Sequence, residues 1–503
     1  MYISSAKGGS DKGMIFNLFK KTPSTAKEPL YLHNTLSDKL ERFEPLNGTV
    51  KMYNCGPTVY EEQTIGNLRG PLLANTVKRA LEAWGYRVKH VNNITDVGHL
   101  VSDSDEGEDK MEKVAAKRDL SAQDIAKEIT ALYFADLDAL GIDRSQMEFP
   151  RATAYIAEQI ALVKTLEEKG YAYLIDDGVY FDTAKFPGYG KLGHIDLGGQ
   201  KDGARVEENK EKKNQHDFAL WKLSPKNTQE NTKQGAKRQQ EWDSPWGTGF
   251  PGWHIECTAM IFKLLGKQID IHLGGIDLIP IHHNNEIAQA EAATAKQFVR
   301  YWMHNAFITI EGKKISKSLG NTIYLHQITE RGLSPLALRY WYLTGHYRSP
   351  MNFTWEAVEG ADTALKRMER AFLEFPKNSK EAPDKKFLED FYAAMGNDLD
   401  TPKALAHVWD LIKDDAVSPA SKRASLMEAD KIFGFGLNDP RVSTKLSVLE
   451  QTDLPEEVQQ LLDERSAARI AQNYGRADEL RIYIEGMGYE LTDTPEGQKV
   501  TKK

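Results

Sequence analysis

Between Val50 and Val91 the chain runs through a β-type segment, a breaker, a helical stretch and a second β-type segment. Val50 to Cys55 is the first segment, and it ends in the breaker Cys55-Gly56-Pro57. After a Gly66-Asn67 turn, Leu73, Val77, Ala80, Leu81 and Trp84 recur on one side of a helix that Gly85 stops. Tyr86 to Val91 then reads as another strand. Strand, loop, helix and strand within about 40 residues form a βαβ unit, which belongs to a parallel sheet with helices on its faces. Ligands of such sheets gather beyond the carboxyl ends of the strands, where Cys55 and Asn93-Ile94-Thr95-Asp96 fall.

The rest of the chain predicts a sheet interrupted by an insertion. Leu120 to Gly170 is patterned as helix, and residues 171–240 are mixed and rich in Gly and Lys. Asn227 to Gln240 is polar without periodicity and reads as a mobile insertion. A second αβ section follows: Trp253 to Leu265 helix, Ile269 to Leu273 strand, Ile281 to Val299 helix. Thr354 to Phe433 is nearly all helical with a break at Pro376 to Pro383, and the last stretch holds a helix pair and a Gly/Thr/Pro-rich tail. With 503 residues the chain exceeds one core, so roughly three to five compact units are expected.

Charge and cysteine count are uninformative by themselves. The net charge is −8, from 65 basic and 73 acidic residues, which leaves RNA contact to a local basic strip. The two cysteines, Cys55 and Cys257, do not make a disulfide scaffold and suggest a reducing, cytoplasmic setting. No apolar run approaches the roughly 18 residues of a membrane helix. Residues 1–28 are Ser/Gly/Lys-rich around a short apolar patch, Met14 to Phe19, and read as a loosely ordered extension, with a transit peptide as the alternative.

Three groups of residues carry chemistry. His282 and Glu286 lie four apart near a helix start and project from one face. Together with Cys55 and Cys257 they have the ligand types of a tetrahedral zinc site. The spacing alone leaves this open: such His/Glu pairs are usually solvated, and His283 is a rival ligand. Next, Glu311-Gly312-Lys313-Lys314-Ile315-Ser316-Lys317-Ser318-Leu319-Gly320-Asn321 places lysines and serines between glycines. Lysine is a mobile point charge for phosphate, and the glycines let such a loop close. Lastly, at Thr64-Ile65-Gly66-Asn67, Gly66 admits a ligand to the backbone of a helix start whose amides favour phosphate.

Taken in order, these strings resemble one family. Cys55-Gly56-Pro57-Thr58-Val59-Tyr60 with Thr64-Ile65-Gly66-Asn67 looks like the opening of the cysteinyl-tRNA synthetases. Asn93 to Asp96, Asp105 to Met111, Trp242 to Gly247, Gly252 to Cys257, His272 to Leu278 and His282 to Glu286 continue the likeness. Lys314 to Ser318 resembles the lysine-serine loop of class I synthetases, and the likeness spans about Tyr31 to Gly497.

The resemblance implies an α/β fold: a Rossmann-type parallel-sheet catalytic domain split by an insertion, then an α-helical anticodon-binding bundle and a small C-terminal domain. The implied boundaries are 1–28 for the extension, 29–150 and 241–300 for the two catalytic halves, and 151–240 for the connective insertion. The lysine-serine and stem-contact region takes 301–353, the bundle 354–435, and the C-terminal tRNA-binding domain 436–503. Asp398 to Leu405 resembles the entry to the bundle, and Arg465, Arg469, Arg476 and Arg481 resemble residues of the C-terminal segment, suited to phosphate and base contact.

The implied metal is one Zn2+ per chain on Cys55, Cys257, His282 and Glu286, with His283 outside. Zinc favours a substrate thiolate over the nearly isosteric serine hydroxyl, which an apolar pocket separates poorly. Thr95, Trp253 and His254 match positions that close the amino-acid pocket. Gly66, Asn67, Gly274 and Asp277 match nucleotide positions, and Lys314 and Lys317 match the cations of the phosphates. ATP with Mg2+ is the expected co-substrate and tRNA(Cys) the partner of a monomeric chain. Three residues depart from the pattern: Ile315 for a common methionine and Asn284 for a frequent glutamate put little at stake, whereas Thr64 stands where the family usually has histidine, so a hydroxyl replaces a possible positive charge. Two rival readings are a cysteine ligase of the mycothiol pathway, which lacks the helical extension, and a non-catalytic RNA- or zinc-binding paralogue, favoured only by Thr64.

Overall fold

A computed structural model describes residues 28–98, 109–195, 210–224, 238–316, 320–377, 379–439, 454–494 and 497–502. The expected extension (all but Glu28), residues 227–237 of the expected mobile insertion, and Lys317 lie outside the described residues.

Five strands form the central sheet: β1 Thr49–Asn54, β2 Arg87–Asn92, β3 Met147–Glu148, β4 Ile269–Gly275 and β5 Val299–Asn305. All pair in parallel, in the order β5-β4-β1-β2-β3. This is the doubly wound order, so the chain leaves β1 toward one edge and returns at β4 toward the other. The loops after β1 and β4 therefore diverge and open a crevice between them. Val50, Met52 and Tyr53 are buried, as strands covered on both faces require.

Three helices line that crevice, α1 Ile65–Ala83, α2 Lys110–Arg118 and α3 Trp253–Leu264, and α4 Asn284–Thr294 packs against α3. Helix α1 opens with a capping box: the Asn67 amide reaches the Thr64 hydroxyl, and the Asn67 side chain accepts from the Thr64 amide. It ends where Gly85 takes a φ of 90°, as its sequence predicts. Between β3 and β4 the chain forms an antiparallel sheet of Ala172–Ile175, Gly178–Phe181, Phe218–Leu223 and Gly249–Pro251, whose last strand lies beyond the expected insertion boundary at 240. Phe181, Phe218 and Trp221 pack it onto Ile255 of α3 and Ala288 of α4.

Three readings of the pattern need correction. The helix expected over Ile281 to Val299 is a π-helical turn, Ile279–His283, followed by α4. Ala295, at φ 55°, ends α4, and Val299 instead opens β5 opposite Ile269. Short apolar runs fit either period until a neighbouring strand claims them. The helical run from Leu120 is broken by β3, a two-residue edge strand too short to show a period. The Gly/Thr/Pro-rich tail is a hairpin, Tyr489–Thr494 with Gly497–Lys502.

Helices Trp355–Glu374, Lys385–Gly396, Thr401–Lys413 and Pro419–Phe433 form the helical appendage. Arg339 ties it to the catalytic part. Its guanidinium is fully buried and donates to the Phe433 carbonyl, to the Leu140 carbonyl at 2.8 Å and to Asn75 Oδ1 of α1 at 2.8 Å. Arg339→Met strands the buried Phe433 and Leu140 carbonyls, each costing about 1–3 kcal/mol, while Asn75 Oδ1 keeps its bond from Arg79 Nε at 3.2 Å. The expected result is a lower first unfolding midpoint in urea, with the α1 end of the molecule loosening with the bundle; an unchanged midpoint would contradict this role.

Candidate active site and metal centre

The crevice is a cavity of about 770 Å3. Its walls come from the loop after β1, the start of α1, the end of β4, the first residues of α2 and the lysine hairpin. Close packing leaves no room for side chains at several glycines. A Cβ on Gly56 would lie 1.6 Å from the Asn93 carbonyl oxygen, and one on Gly274 would lie 2.6 Å from the His283 ring. A Cβ on Gly66 would meet Ile315 Cδ1 at 2.8 Å, so the start of α1 lies directly against the hairpin.

The expected nucleotide residues converge here. Thr64, Gly66, Asn67, Gly274, Asp277 and Lys314 all line the cavity. Lys314 sits in a short strand, Lys313–Lys314, paired antiparallel with Ile308–Ile310. Asn321 ties the hairpin's base, accepting from the Ser316 amide at 2.8 Å and donating to the Lys314 carbonyl at 3.0 Å. Thr64 is already engaged: its hydroxyl donates to Asn67 Oδ1 at 2.7 Å.

Of the three expected amino-acid-pocket residues, Trp253 lines the cavity and Thr95 and His254 do not. Thr95 is buried behind the wall; its amide bonds the Pro57 carbonyl, and its hydroxyl accepts from Asn93 Nδ2 at 3.0 Å. Thr58, paired with it, faces the cavity instead. His254 is fully buried, with Nδ1 2.9 Å from His282 Nδ1. The Trp253 ring lies over His282 at 4.7 Å between centroids.

Cys55 is the member of the metal group that reaches the cavity. Among the described residues, the ligand atoms of Cys55, Cys257, His282 and Glu286 lie within 4.8 Å of one another. His282 Nε2 is 3.1 Å and Cys55 Sγ 3.9 Å from Glu286 Oε1. The π-helical turn before α4 brings His282 and Glu286 to one face, and α3 delivers Cys257. A second group, Cys55, His272, His283 and Glu286, satisfies the same distance limit. In it His272 Nε2 lies 3.0 Å from Glu286 Oε2, and His283 Nε2 lies 3.4 Å from Cys55 Sγ.

The electrostatics are those of a buried anionic cup. Burial would raise the Glu286 carboxyl, but His272 and His282 outweigh it and hold it at about 2. A hydrogen bond with Cys55 draws Cys257 down to about 7, while burial pushes Cys55 well up. Burial opposes the charge on His282, yet Cys257 and Glu286 raise it to about 10. Two sulfurs, an imidazole and a carboxylate match the donor preferences of zinc. The residues present fit that metal.

Sequence reading missed a line of groups behind the cup. His283 Nδ1 lies 2.8 Å from His304 Nε2, and His304 Nδ1 lies 2.7 Å from the Thr35 hydroxyl. Thr35 and His304 stand far apart in the chain, and no local pattern links them.

The same order of elements recurs elsewhere. Residues 42–363 match the sequence profile of the tRNA synthetases class I (C) catalytic domain. The chain is 45% identical to cysteine–tRNA ligase 1 of Burkholderia lata, covering 94% of this chain and 97% of that one. It is 42% identical to the cysteine–tRNA ligase of Treponema denticola, over 92% and 98% of the two chains. In structure it is similar to a methionyl-tRNA synthetase of Mycobacterium tuberculosis, with TM-score 0.51, 14% identity and 77% and 90% of the chains covered. A ternary LeuRS–tRNA–LeuAMS complex of Agrobacterium radiobacter K84 is similar at TM-score 0.56 and 11% identity, covering 80% and 85%. These two likenesses speak to the fold, whereas near-complete coverage at high identity speaks to descent: the chain belongs to the class I cysteine–tRNA ligase family of aminoacyl-tRNA ligases.

Proposed function

We propose that the protein attaches L-cysteine to tRNA(Cys), using ATP and a cysteinyl-adenylate, with zinc on Cys55, Cys257, His282 and Glu286. The observation that carries this reading is the buried two-sulfur cup opening through Cys55 into a cavity that also holds Lys314 and the start of α1. Relatives named for cysteine–tRNA ligation along nearly the whole chain support the substrate.

A zinc ion held in the cup would supply a soft Lewis-acidic contact for a substrate thiolate, which a serine hydroxyl makes poorly. His272 orients Glu286 from behind, and Trp253 covers His282 from the cavity side. The bare end of β4 at Gly274 and Gly275 leaves the substrate space beside the cup. In the first step the cysteine carboxylate attacks the α-phosphorus of ATP. Negative charge grows on phosphate oxygens, and Lys314 and Lys317 are the cations for it. In the second step a ribose hydroxyl of the terminal adenosine of tRNA attacks the adenylate carbonyl. Magnesium would travel with ATP.

The C-terminal domain is the proposed tRNA-binding element, with a narrower set of arginines than the sequence suggested. Arg465 is buried and donates to Gln498 Oε1 at 2.8 Å, so it holds the domain's own hairpin. Arg469 remains exposed.

Cysteine-dependent exchange between ATP and pyrophosphate, paired with charging of tRNA(Cys), tests the reading. Both are expected. Exchange without charging would favour the mycothiol-type ligase, and absence of exchange by zinc-loaded protein would favour the non-catalytic paralogue. Thr64→His bears on the same point. Imidazole would restore a possible cation but remove the hydroxyl of the capping box, a loss of roughly 1 kcal/mol at the start of α1. Exchange equal to or above the parent's is expected, and a large loss would show that the threonine is specifically required.

A further inference from the structure

We propose that Lys110 is a further cation of the adenylating site, additional to the lysine hairpin, and contacts the α-phosphate of the nucleotide. This rests on the adenylation reading above and adds a residue to it.

The cavity must accommodate an anion, yet its described walls hold two cations, Lys110 and Lys314. The start of α1 adds none, because Thr64 carries no charge and its hydroxyl already donates to Asn67. Glu61, Glu62 and Asp277 line the same space and repel phosphate. Positive charge from outside the lysine hairpin would offset these carboxylates.

Lys110 is held for that purpose. It is the first residue of α2, whose cap is Asp109; that carboxylate accepts from the Met111 amide at 2.8 Å and the Glu112 amide at 3.0 Å. Asp109 is clamped in turn by Arg238, whose guanidinium lies 3.6 Å from the Phe250 ring centroid. Met111, next in line, is buried. The backbone under Lys110 is thus fixed, while its own side chain is half-buried and points its Nζ over the Tyr60 ring, 5.8 Å from the centroid.

Its charge has no other assignment among the described residues. Asp109 is committed to Arg238, Glu112 to the Gln239 amide and Glu62 to His326, and the other acidic residues lining the cavity, Glu61 and Asp277, have interactions of their own. A cation at the first position of a helix also opposes the helix dipole, which favours anions there. A bound phosphate resolves both conflicts, since the lysine and the positive end of the helix then face the same anion. A solvated surface lysine would give neither the lining position nor the braced backbone.

Position divides the labour. Lys110 Nζ lies over Tyr60, in the loop after β1 that also carries Cys55, whereas Ile315, next to Lys314, lies against Gly66 at the start of α1. Lys110 therefore meets the phosphate that remains with the adenylate, and Lys314 the departing end. In that step a cysteine carboxylate oxygen forms a bond to the α-phosphorus. The bond from that phosphorus to the bridging oxygen breaks, and pyrophosphate leaves with the electron pair. No proton is transferred, so the lysine serves as a fixed charge.

The test uses the full-length, zinc-loaded protein. Lys110→Met is expected to lower kcat of cysteine-dependent ATP–pyrophosphate exchange about 100-fold, with KM for ATP within about twofold of the parent. Lys110→Arg, which keeps the charge, is expected to recover at least about tenfold of that loss. A kcat within about threefold of the parent, a loss confined to KM, or equal losses in both variants would overturn the proposal. Equilibrium binding keeps it open to refutation if the parent itself shows no exchange, an outcome that would instead count against adenylation. A non-hydrolysable cysteinyl-adenylate analogue that keeps the phosphate charge should bind about tenfold more weakly to Lys110→Met, while its uncharged sulfamoyl counterpart binds both proteins alike. Equal affinities for the charged analogue would overturn the α-phosphate contact.

Discussion

Cys257→Ser is expected to strip most of the zinc and to raise KM for cysteine in parallel, each by at least about 100-fold, since altering even outer-shell partners of a metal costs 10–100-fold. The substitution is nearly isosteric and sits within α3, so the fold should survive it. What changes is the donor: a thiolate already drawn down to about 7 gives way to a hydroxyl that stays protonated and binds zinc weakly. The variant also separates the two possible ligand groups. Cys55, His272, His283 and Glu286 make no use of Cys257, so zinc retained at the parent's level by elemental analysis would move the metal to that second group. Loss of zinc with unchanged cysteine affinity would instead separate the metal from substrate selection.

Lys314→Met should lower kcat/KM for ATP in the exchange reaction by about 100- to 1,000-fold, mostly as a rise in KM for ATP. Lys314 is exposed and its backbone is held by the short strand and by Asn321, so the hairpin should persist without the charge. Arginine at the position should recover only part of the loss, because a planar fork does not replace a compact point charge on a crowded phosphate. A variant with normal exchange would remove the hairpin from the phosphate site and leave Lys110 and Lys317 to supply its charge. The contrast with Lys110 is diagnostic: one substitution is expected to act through KM, the other through kcat.

Much of this was legible in the chain before any coordinates. The βαβ unit from Val50 predicts the parallel sheet because its strand and helix periods are local and its breakers, Pro57 and Gly85, are unambiguous. The Cys55, Cys257, His282, Glu286 set follows from the ordered strings, and the side chains do lie together. Other placements were not legible. Thr58 lines the cavity whereas Thr95, paired with it, does not, and His254 is buried against His282. Val299 reads as the end of a helix until Ile269 pairs with it. Arg465 reads as a surface cation and is buried against the hairpin.

The amino-acid sequence by itself determined the sheet's type, the elements that carry each motif and the kinds of donor available to a metal. Those properties depend on spacing and residue chemistry over a few turns of chain. Tertiary structure decided which of two overlapping groups His282 and His283 can each join, that Thr64 is engaged as a helix cap, and that Lys110 lines the same cavity as Lys314. Each of these depends on contacts between distant segments, and such contacts are set by how helices and strands bury their faces together, which no local pattern encodes.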